Sequence, residues 1–198
     1  TSEYLINRKD SQYEVVAFCC DKEYIKGDSF FDLPLFSLEE IQKKFPANKF
    51  KMHVALSYSK LNKIREEKYL QVKKMGYSLV NYISSKSVFW NDLKIGDNCF
   101  ILENQTIQPN VKIGNNVMIW SGNHLGHGCN IDDHTYLSSH ICISGHTNIG
   151  KRCFIGVNSH FKDFINIGDD VVIGMGSNVN KDIDSGSLVI GSKSEIFS

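Results

Sequence analysis

The sequence lacks a net charge, an apolar run long enough to cross a membrane, and any Cys-x-x-Cys pair. Lys+Arg and Asp+Glu both number 22, so no net positive field attracts a phosphate backbone, and nucleic acid is not expected as a partner. A membrane span needs about 20 apolar residues, so a membrane partner is not expected either. The 198 residues, 41% of them hydrophobic, suffice for one full domain or two small ones.

The six cysteines predict neither disulfides nor a zinc site. Cys19 and Cys20 are adjacent, which makes a bridge between them geometrically awkward. Cys99, Cys129 and Cys153 share one position of a repeat described below, where we expect small core side chains. We therefore expect no metal and a reducing, cytoplasmic location.

Residues 1–86 alternate between strand and helix signals. Apolar runs at 14–21, 52–57 and 79–83 predict strands. Ser37 to Ile41 resembles a helix start with a capping box, and residues 60–74 predict an amphipathic helix closed by Gly76. This order favours a small parallel α/β sheet.

From residue 89 onwards the sequence follows a period of six. An apolar residue occupies every sixth position without interruption: Phe89, Ile95, Ile101, Ile107, Ile113, Ile119, Leu125, Ile131, Leu137, Ile143, Ile149, Ile155, Phe161, Ile167, Ile173 and Val179. A helix cannot produce this period, because six residues rotate it by roughly 600° and scatter these side chains over several faces. Inward residues and a turn in each hexad predict a coiled β-solenoid.

The hexads resemble those of left-handed β-helix acyltransferases over residues 88–183. The resemblance implies an all-β left-handed parallel β-helix, assigned here to residues 87–198, with three hexads in each 18-residue coil. It also implies a homotrimer. Such a coil stacks each residue on the one 18 positions later.

Six of the seven histidines lie between His124 and His160. His134, His140 and His146 are six residues apart, so the solenoid directs them to three different faces and they cannot share a metal within one chain. His124 stacks on Cys142 and then on His160. The spacing therefore predicts no metal centre.

His127 occupies a different position, two residues after the inward Leu125, where a side chain reaches the surface. Its neighbour one coil later is Gly145, which allows a ligand to approach the backbone and leaves an N–H free to donate. A base beside such a donor suits acyl transfer, since the imidazole accepts a proton and the N–H binds the developing oxyanion. By position alone, an exposed turn residue explains His127 equally well.

Residues 120–156, including NHLGHGC and SGHTNIGKRC, resemble bacterial sugar acetyltransferases related to sialic acid O-acetyltransferases and UDP-4-amino-sugar N-acetyltransferases. The resemblance implies a Rossmann-like nucleotide-sugar domain at 1–86, a catalytic His127 and a thioester-binding N–H at Gly145. Tyr136 stands where the family has a second histidine near the acetyl group. Gly128 replaces the acid that often follows the base, so Asp133 or a neighbouring subunit could orient His127.

The same resemblance assigns further contacts. Acetyl-CoA is expected against Tyr136, Gly145, Gly156, Gly174, Gly176 and Lys181. The nucleoside is expected near Asp21, and the acceptor sugar near Asn123 and His124. Residues 1–6 resemble the helix that follows the family's first strand and Gly-rich turn, so either that segment is missing from this chain or the phosphate site is lost.

The resemblance thus implies an acetyl-CoA-dependent N-acetyltransferase acting on a nucleotide-linked amino sugar in bacterial surface-glycan biosynthesis. Two alternatives remain: transfer to a sugar hydroxyl, and a non-catalytic β-helix that binds sugar nucleotides as a scaffold.

Overall fold

In the computed structural model, which describes residues 12–191, the period of six becomes a left-handed β-helix with three parallel sheets. Each sheet forms one face of a prism. Face 1 contains β4 (Tyr82–Ile83), β7 (Phe100–Ile101), β10 (Met118–Ile119), β13 (Tyr136–Leu137), β16 (Phe154–Ile155), β19 (Val172–Ile173) and β21 (Leu188–Val189). Face 2 contains β5 (Val88–Phe89), β8 (Thr106–Ile107), β11 (His124–Leu125), β14 (Cys142–Ile143), β17 (His160–Phe161) and β20 (Asn178–Val179). Face 3 contains β6 (Lys94–Ile95), β9 (Lys112–Ile113), β12 (Asn130–Ile131), β15 (Asn148–Ile149) and β18 (Asn166–Ile167).

The predicted coil length is confirmed by the strand register. Met118 pairs with Tyr136 on face 1 and His124 pairs with Cys142 on face 2, in both cases 18 positions apart. The second residue of each two-residue strand points inward, and the column from Ile101 to Ile173 is buried. The last coil is shorter than 18 residues, as the pairing of Val172 with Leu188 shows.

The corners of the prism have a backbone period of their own. One residue in every hexad has a positive φ, from Asn98 to Gly176, and the series includes His134, His140 and His146. We name the corners by the faces they join. His140 lies at the 1–2 corner, His127 and His146 lie at the 2–3 corner, and His134 lies at the 3–1 corner. His134, His140 and His146 thus lie at three different corners, as their spacing predicts.

The N-terminal region differs from the predicted parallel sheet. Its sheet contains β1 (Phe18–Cys20), β2 (Ser29–Phe30) and β3 (Leu33–Ser37), with β1 parallel and β2 antiparallel to β3. The strand predicted at 52–57 is reduced to a single bridge between Met52 and Leu79. Tyr82 and Ile83, predicted as part of a third strand of this sheet, instead pair with Phe100 and Ile101 as the first rung of face 1.

Two α-helices follow β3. The first, α1 (Ile41–Lys44), begins after Glu40, and the Ser37 hydroxyl donates to the Glu40 carboxylate at 2.9 Å rather than capping the helix. The second, α2 (Lys63–Lys74), begins three residues later than predicted. It ends before Gly76, whose φ is +90°. Neither helix is long and apolar enough to cross a membrane.

The N-terminal region packs onto face 1 and the 3–1 corner. Tyr58 contacts the rings of Tyr136 and Phe154, with centroid distances of 5.1 and 4.9 Å. Arg65 of α2 is buried at the corner and donates to the carbonyl of His134 at 2.7 Å. Asn62 donates to the carbonyl of Cys153 at 3.0 Å. These contacts dock α2 on the β-helix, and the outer side chains of face 1 from Tyr82 to Tyr136 are buried.

Candidate functional site

His127 and Gly145 lie together at the 2–3 corner, as the 18-residue coil predicts. A Cβ placed on Gly145 would lie 2.7 Å from Cε1 and 2.9 Å from Nε2 of His127. The imidazole therefore rests directly against the Gly145 backbone, in space that any larger residue would occupy. The His127 side chain is otherwise exposed, while Gly145 is buried.

The Gly145 N–H is available to a ligand. Its carbonyl accepts the Phe164 N–H at 3.1 Å, but within residues 12–191 its own N–H makes no hydrogen bond. Buried backbone N–H groups are usually paired, so this unpaired donor is able to bind an acceptor from outside the chain. The corner thus presents a base and a hydrogen-bond donor next to each other.

Gln108 contacts His127 from the preceding coil. Its side-chain oxygen accepts the His127 backbone N–H at 2.9 Å and lies 3.3 Å from Nδ1 of the imidazole. The His146 ring meets the His127 ring edge-on at 4.9 Å, and Phe164 stacks on His146 at the same distance. The sequence analysis did not identify Gln108, because no motif marks a contact 19 residues away.

Two predicted site residues are buried away from this corner. Asn123 is 1% exposed, and its side chain accepts the Ile141 N–H at 2.7 Å inside the coil. Tyr136 lies on face 1, 5% exposed, stacked on Phe154 and beneath Tyr58. Both side chains are buried in the structure, and the assignment of Asn123 to the acceptor sugar and of Tyr136 to acetyl-CoA stays a prediction.

Asp133 does not orient His127 either. It lies at the 3–1 corner, where its carboxylate accepts the Asn115 backbone N–H at 2.7 Å. His134, at the same corner, is also structural: its Nδ1 lies 2.9 Å from the Asn116 amide, and burial lowers its pKa.

Apart from Gly145, the glycines predicted to bind CoA lie at the 1–2 corner, across face 2 from His127. Gly156 and Gly174 follow strands of face 1, and Gly176 has a φ of +66° with open space around its Cα. Lys181 is exposed after β20, at the 2–3 corner. His124 is on the outer side of face 2, between Thr106 and Cys142.

Asp21 belongs to the N-terminal region and is held by an ion pair. Its carboxylate lies 2.6 Å from the ammonium of Lys68, and both side chains are about a quarter exposed, at 27% and 26%. Residues 1–6, predicted to resemble a family helix, lie outside the described residues, as does the tail after Gly191.

Among the described residues, no group of three or more His, Cys, Asp or Glu side chains is placed to hold a metal ion. All six cysteines are free. Cys99 and Cys153 are buried, and burial raises the thiol pKa of each, to about 12 and about 11.

Two family models match the β-helix. Residues 92–127 match "Bacterial transferase hexapeptide (six repeats)", and residues 146–181 match "Hexapeptide repeat of succinyl-transferase". No curated protein matches the sequence.

Several solved structures share the fold. PerB of Caulobacter crescentus, in complex with CoA and GDP-perosamine, has a TM-score of 0.76 and 22% identity over 83% of this chain and 78% of that one. The acetyltransferase domain of PglB from Neisseria gonorrhoeae, in complex with acetyl coenzyme A, has a TM-score of 0.77 and 21% identity over 85% of this chain and 80% of that one. WeeI of Acinetobacter baumannii has a TM-score of 0.76 and 23% identity over 88% of this chain and 82% of that one. At these identities the likeness establishes the shared fold.

Proposed function

We propose that this chain is an acetyltransferase that moves an acetyl group from acetyl-CoA to the amino group of a nucleotide-linked sugar. The observation that carries the proposal is the His127 imidazole against the Gly145 backbone, whose N–H has no partner among residues 12–191. The hexapeptide transferase matches support the reaction class. The structures of PerB and PglB, which contain CoA or acetyl coenzyme A, support the donor, and the GDP-perosamine of PerB supports the acceptor class.

The chemistry follows from the positions of two groups. The acceptor amine attacks the thioester carbonyl carbon and loses a proton to the His127 imidazole. The carbonyl oxygen becomes an oxyanion, which the Gly145 N–H stabilises. When the tetrahedral intermediate collapses, the C–S bond breaks and the CoA thiolate takes the proton back from the imidazolium. Both groups act on atoms that change charge during the reaction.

The N-terminal region, 1–86, is proposed to hold the nucleotide. The Asp21 carboxylate is held by the Lys68 ammonium at 2.6 Å. In this position it can accept a hydrogen bond from a ribose hydroxyl. His124, three residues before His127 and on the outer side of face 2, is assigned to the sugar. The free thiols of all six cysteines support a cytoplasmic protein, and the proposed substrate supports a role in glycan synthesis.

We propose a homotrimer with sites between subunits. Gly156, Gly174 and Gly176 lie at the 1–2 corner and His127 lies at the 2–3 corner, so a CoA molecule that contacts both sets on one chain has to cross face 2. If a neighbouring subunit places its 1–2 corner against this 2–3 corner, CoA can contact both sets of residues without crossing face 2. Equilibrium sedimentation at micromolar concentration should give the mass of three chains. A monomer there would contradict the shared site.

Gly145→Ala should lower kcat by about 10²-fold, the cost of misplacing a catalytic group by about 1 Å. The added Cβ would lie 2.7 Å from the His127 ring and has to displace it. Gly27→Ala is the matched control, since a Cβ at Gly27 meets nothing within 4 Å. Steady-state kinetics of both variants checks the prediction, and an unchanged rate in Gly145→Ala would contradict the site.

The proposed function is tested by incubating the protein with acetyl-CoA and a panel of nucleotide-linked sugars that carry an amino group or hydroxyls alone. Release of free thiol and an acetylated amine, seen by mass spectrometry, is the expected result. Acetylation of the hydroxyl sugars would instead identify an O-acetyltransferase. Tight binding of a nucleotide sugar with no thiol release from any member of the panel would identify a non-catalytic scaffold.

A further inference from the structure

The backbone of Gln108 is hydrogen-bonded to the coil that carries His127. Gln108 follows β8 at the 2–3 corner and precedes Pro109, and its backbone N–H donates to the Leu125 carbonyl at 2.9 Å. This bond joins its backbone to the strand that leads into His127. Its side-chain oxygen then lies 2.9 Å from the His127 backbone nitrogen and 3.3 Å from Nδ1.

The backbone contact identifies the Gln108 atom. A backbone N–H can only donate, so the side-chain atom that faces it is the carbonyl oxygen rather than the amide nitrogen. That oxygen can only accept. The same oxygen faces Nδ1 of His127, so Nδ1 carries the proton.

The tautomer follows from this assignment. A neutral imidazole has one N–H and one bare nitrogen, so a proton on Nδ1 leaves the lone pair on Nε2. Both ring nitrogens lie near Gly145, with Nε2 at 2.9 Å and Nδ1 at 3.2 Å from the position of an added Cβ. The lone pair is therefore on the ring nitrogen that does not face Gln108, and this nitrogen lies over Gly145.

We infer that Gln108 is the positioning residue of His127, because it holds the imidazole in the tautomer that accepts a proton at Nε2. The inference rests on the proposed function for its consequence in catalysis, while the tautomer itself is a property of the free protein. It supplies an orienting group within the same chain, in place of the acid that Gly128 replaces. Gln108 touches no reacting atom and acts through His127.

A neutral orienting group affects the protonated imidazole differently from a carboxylate. When His127 takes up the amine proton, its Nδ1–H continues to donate to an uncharged oxygen. Gln108→Glu would place a negative charge beside the imidazolium and favour it. The acidic limb of the pH profile of kcat/KM should then move upward by about one pH unit.

The experiment compares three variants. Gln108→Met keeps the length of the side chain and removes the acceptor, and it should lower kcat by about 10- to 100-fold with little change in the KM for acetyl-CoA. Gln108→Glu keeps the acceptor and should retain more activity than Gln108→Met, with the shifted pH profile. Gln42→Met, on the exposed side of α1, is the control and should match the wild type. Equal losses in both Gln108 variants with an unshifted profile would overturn the inference.

A second measurement separates this inference from the proposed function. The ring ¹⁵N shifts of His127, assigned with His127→Gln, should show the Nδ1–H tautomer in the wild type. Gln108→Met should lose that preference. If the wild type transfers no acetyl group but shows the Nδ1–H tautomer, the proposed function fails and the role of Gln108 holds. If His127 shows the Nε2–H tautomer in active wild-type protein, the role of Gln108 fails and the proposed function holds.

Discussion

His127→Ala should lower kcat by about 10²- to 10⁴-fold, the usual contribution of a positioned general base. The KM values for both substrates should change little, because the imidazole interacts with the reacting groups mainly in the transition state. The structure supports the size of the effect, since the ring lies against Gly145 and is held by Gln108. Steady-state kinetics on the acceptor identified by the panel measures it.

His140→Ala is the matched control for His127→Ala. His140 is an exposed histidine with positive φ, but it lies at the 1–2 corner, against Gly122. We expect that variant to retain activity within a few-fold of the wild type unless the trimer brings His140 into the neighbouring site, and a larger loss would place it there. His134 is unsuitable as a control, because it is buried beneath α2 and its loss affects folding. Equal rates for His127→Ala and the wild type would remove His127 from catalysis.

Arg65→Met should lower the free energy of unfolding by about 2–4 kcal/mol, as expected when buried acceptors lose their donor. The Arg65 side chain is 1% exposed, and its Nη2 donates to the carbonyls of His134 at 2.7 Å, Asn116 at 3.2 Å and Thr135 at 3.3 Å. Methionine fills part of the space and supplies no donor. The loss is smaller than the sum of three bonds, because the cost of burying the charge disappears as well.

Urea unfolding monitored by circular dichroism measures this effect. Lys63→Met is the control on the same helix, since its ion pair with Asp170 spans 3.8 Å and the Lys63 side chain is 58% exposed. Such a surface substitution should change stability by less than about 0.5 kcal/mol. If Arg65→Met is no more destabilising than Lys63→Met, then Arg65 does not hold α2 to the β-helix.

The β-helix and the His127–Gly145 contact could both be predicted from the sequence, because they follow from one local period. Each hexad repeats the same inward position, and 18 residues complete a coil, so any two stacked residues can be identified by counting. The strand register confirms that count from Tyr82 to Val179. The same count predicts that His134, His140 and His146 lie apart from one another.

The burial of Asn123 could be predicted from the repeat. Asn123 occupies the position four residues after each inward residue, which it shares with Val111, Val117 and Thr135, and all four are buried. The burial of Tyr136 could also be predicted, since Phe100, Met118 and Phe154 share its outward position on face 1. An apolar outward stripe predicts a covered face, and the N-terminal region covers it.

The N-terminal sheet and Gln108 were harder to predict. The strand at 52–57 is reduced to one bridge, and Tyr82–Ile83 pairs with the β-helix. A local apolar run cannot show which partner a strand chooses. The Gln108–His127 contact depends on a side chain that reaches one residue beyond its stacking partner. A period of 18 does not indicate such a contact.

The measurement that tests the central claim most directly is a crystal structure of the protein with CoA. The account predicts that the CoA sulfur lies at the 2–3 corner, within reach of the Gly145 N–H and on the Nε2 side of the His127 ring. The pantetheine arm should run between this corner and Gly174 and Gly176 of a neighbouring subunit. A CoA molecule whose sulfur lies at another corner, with the Gly145 N–H and His127 left in solvent, would contradict it.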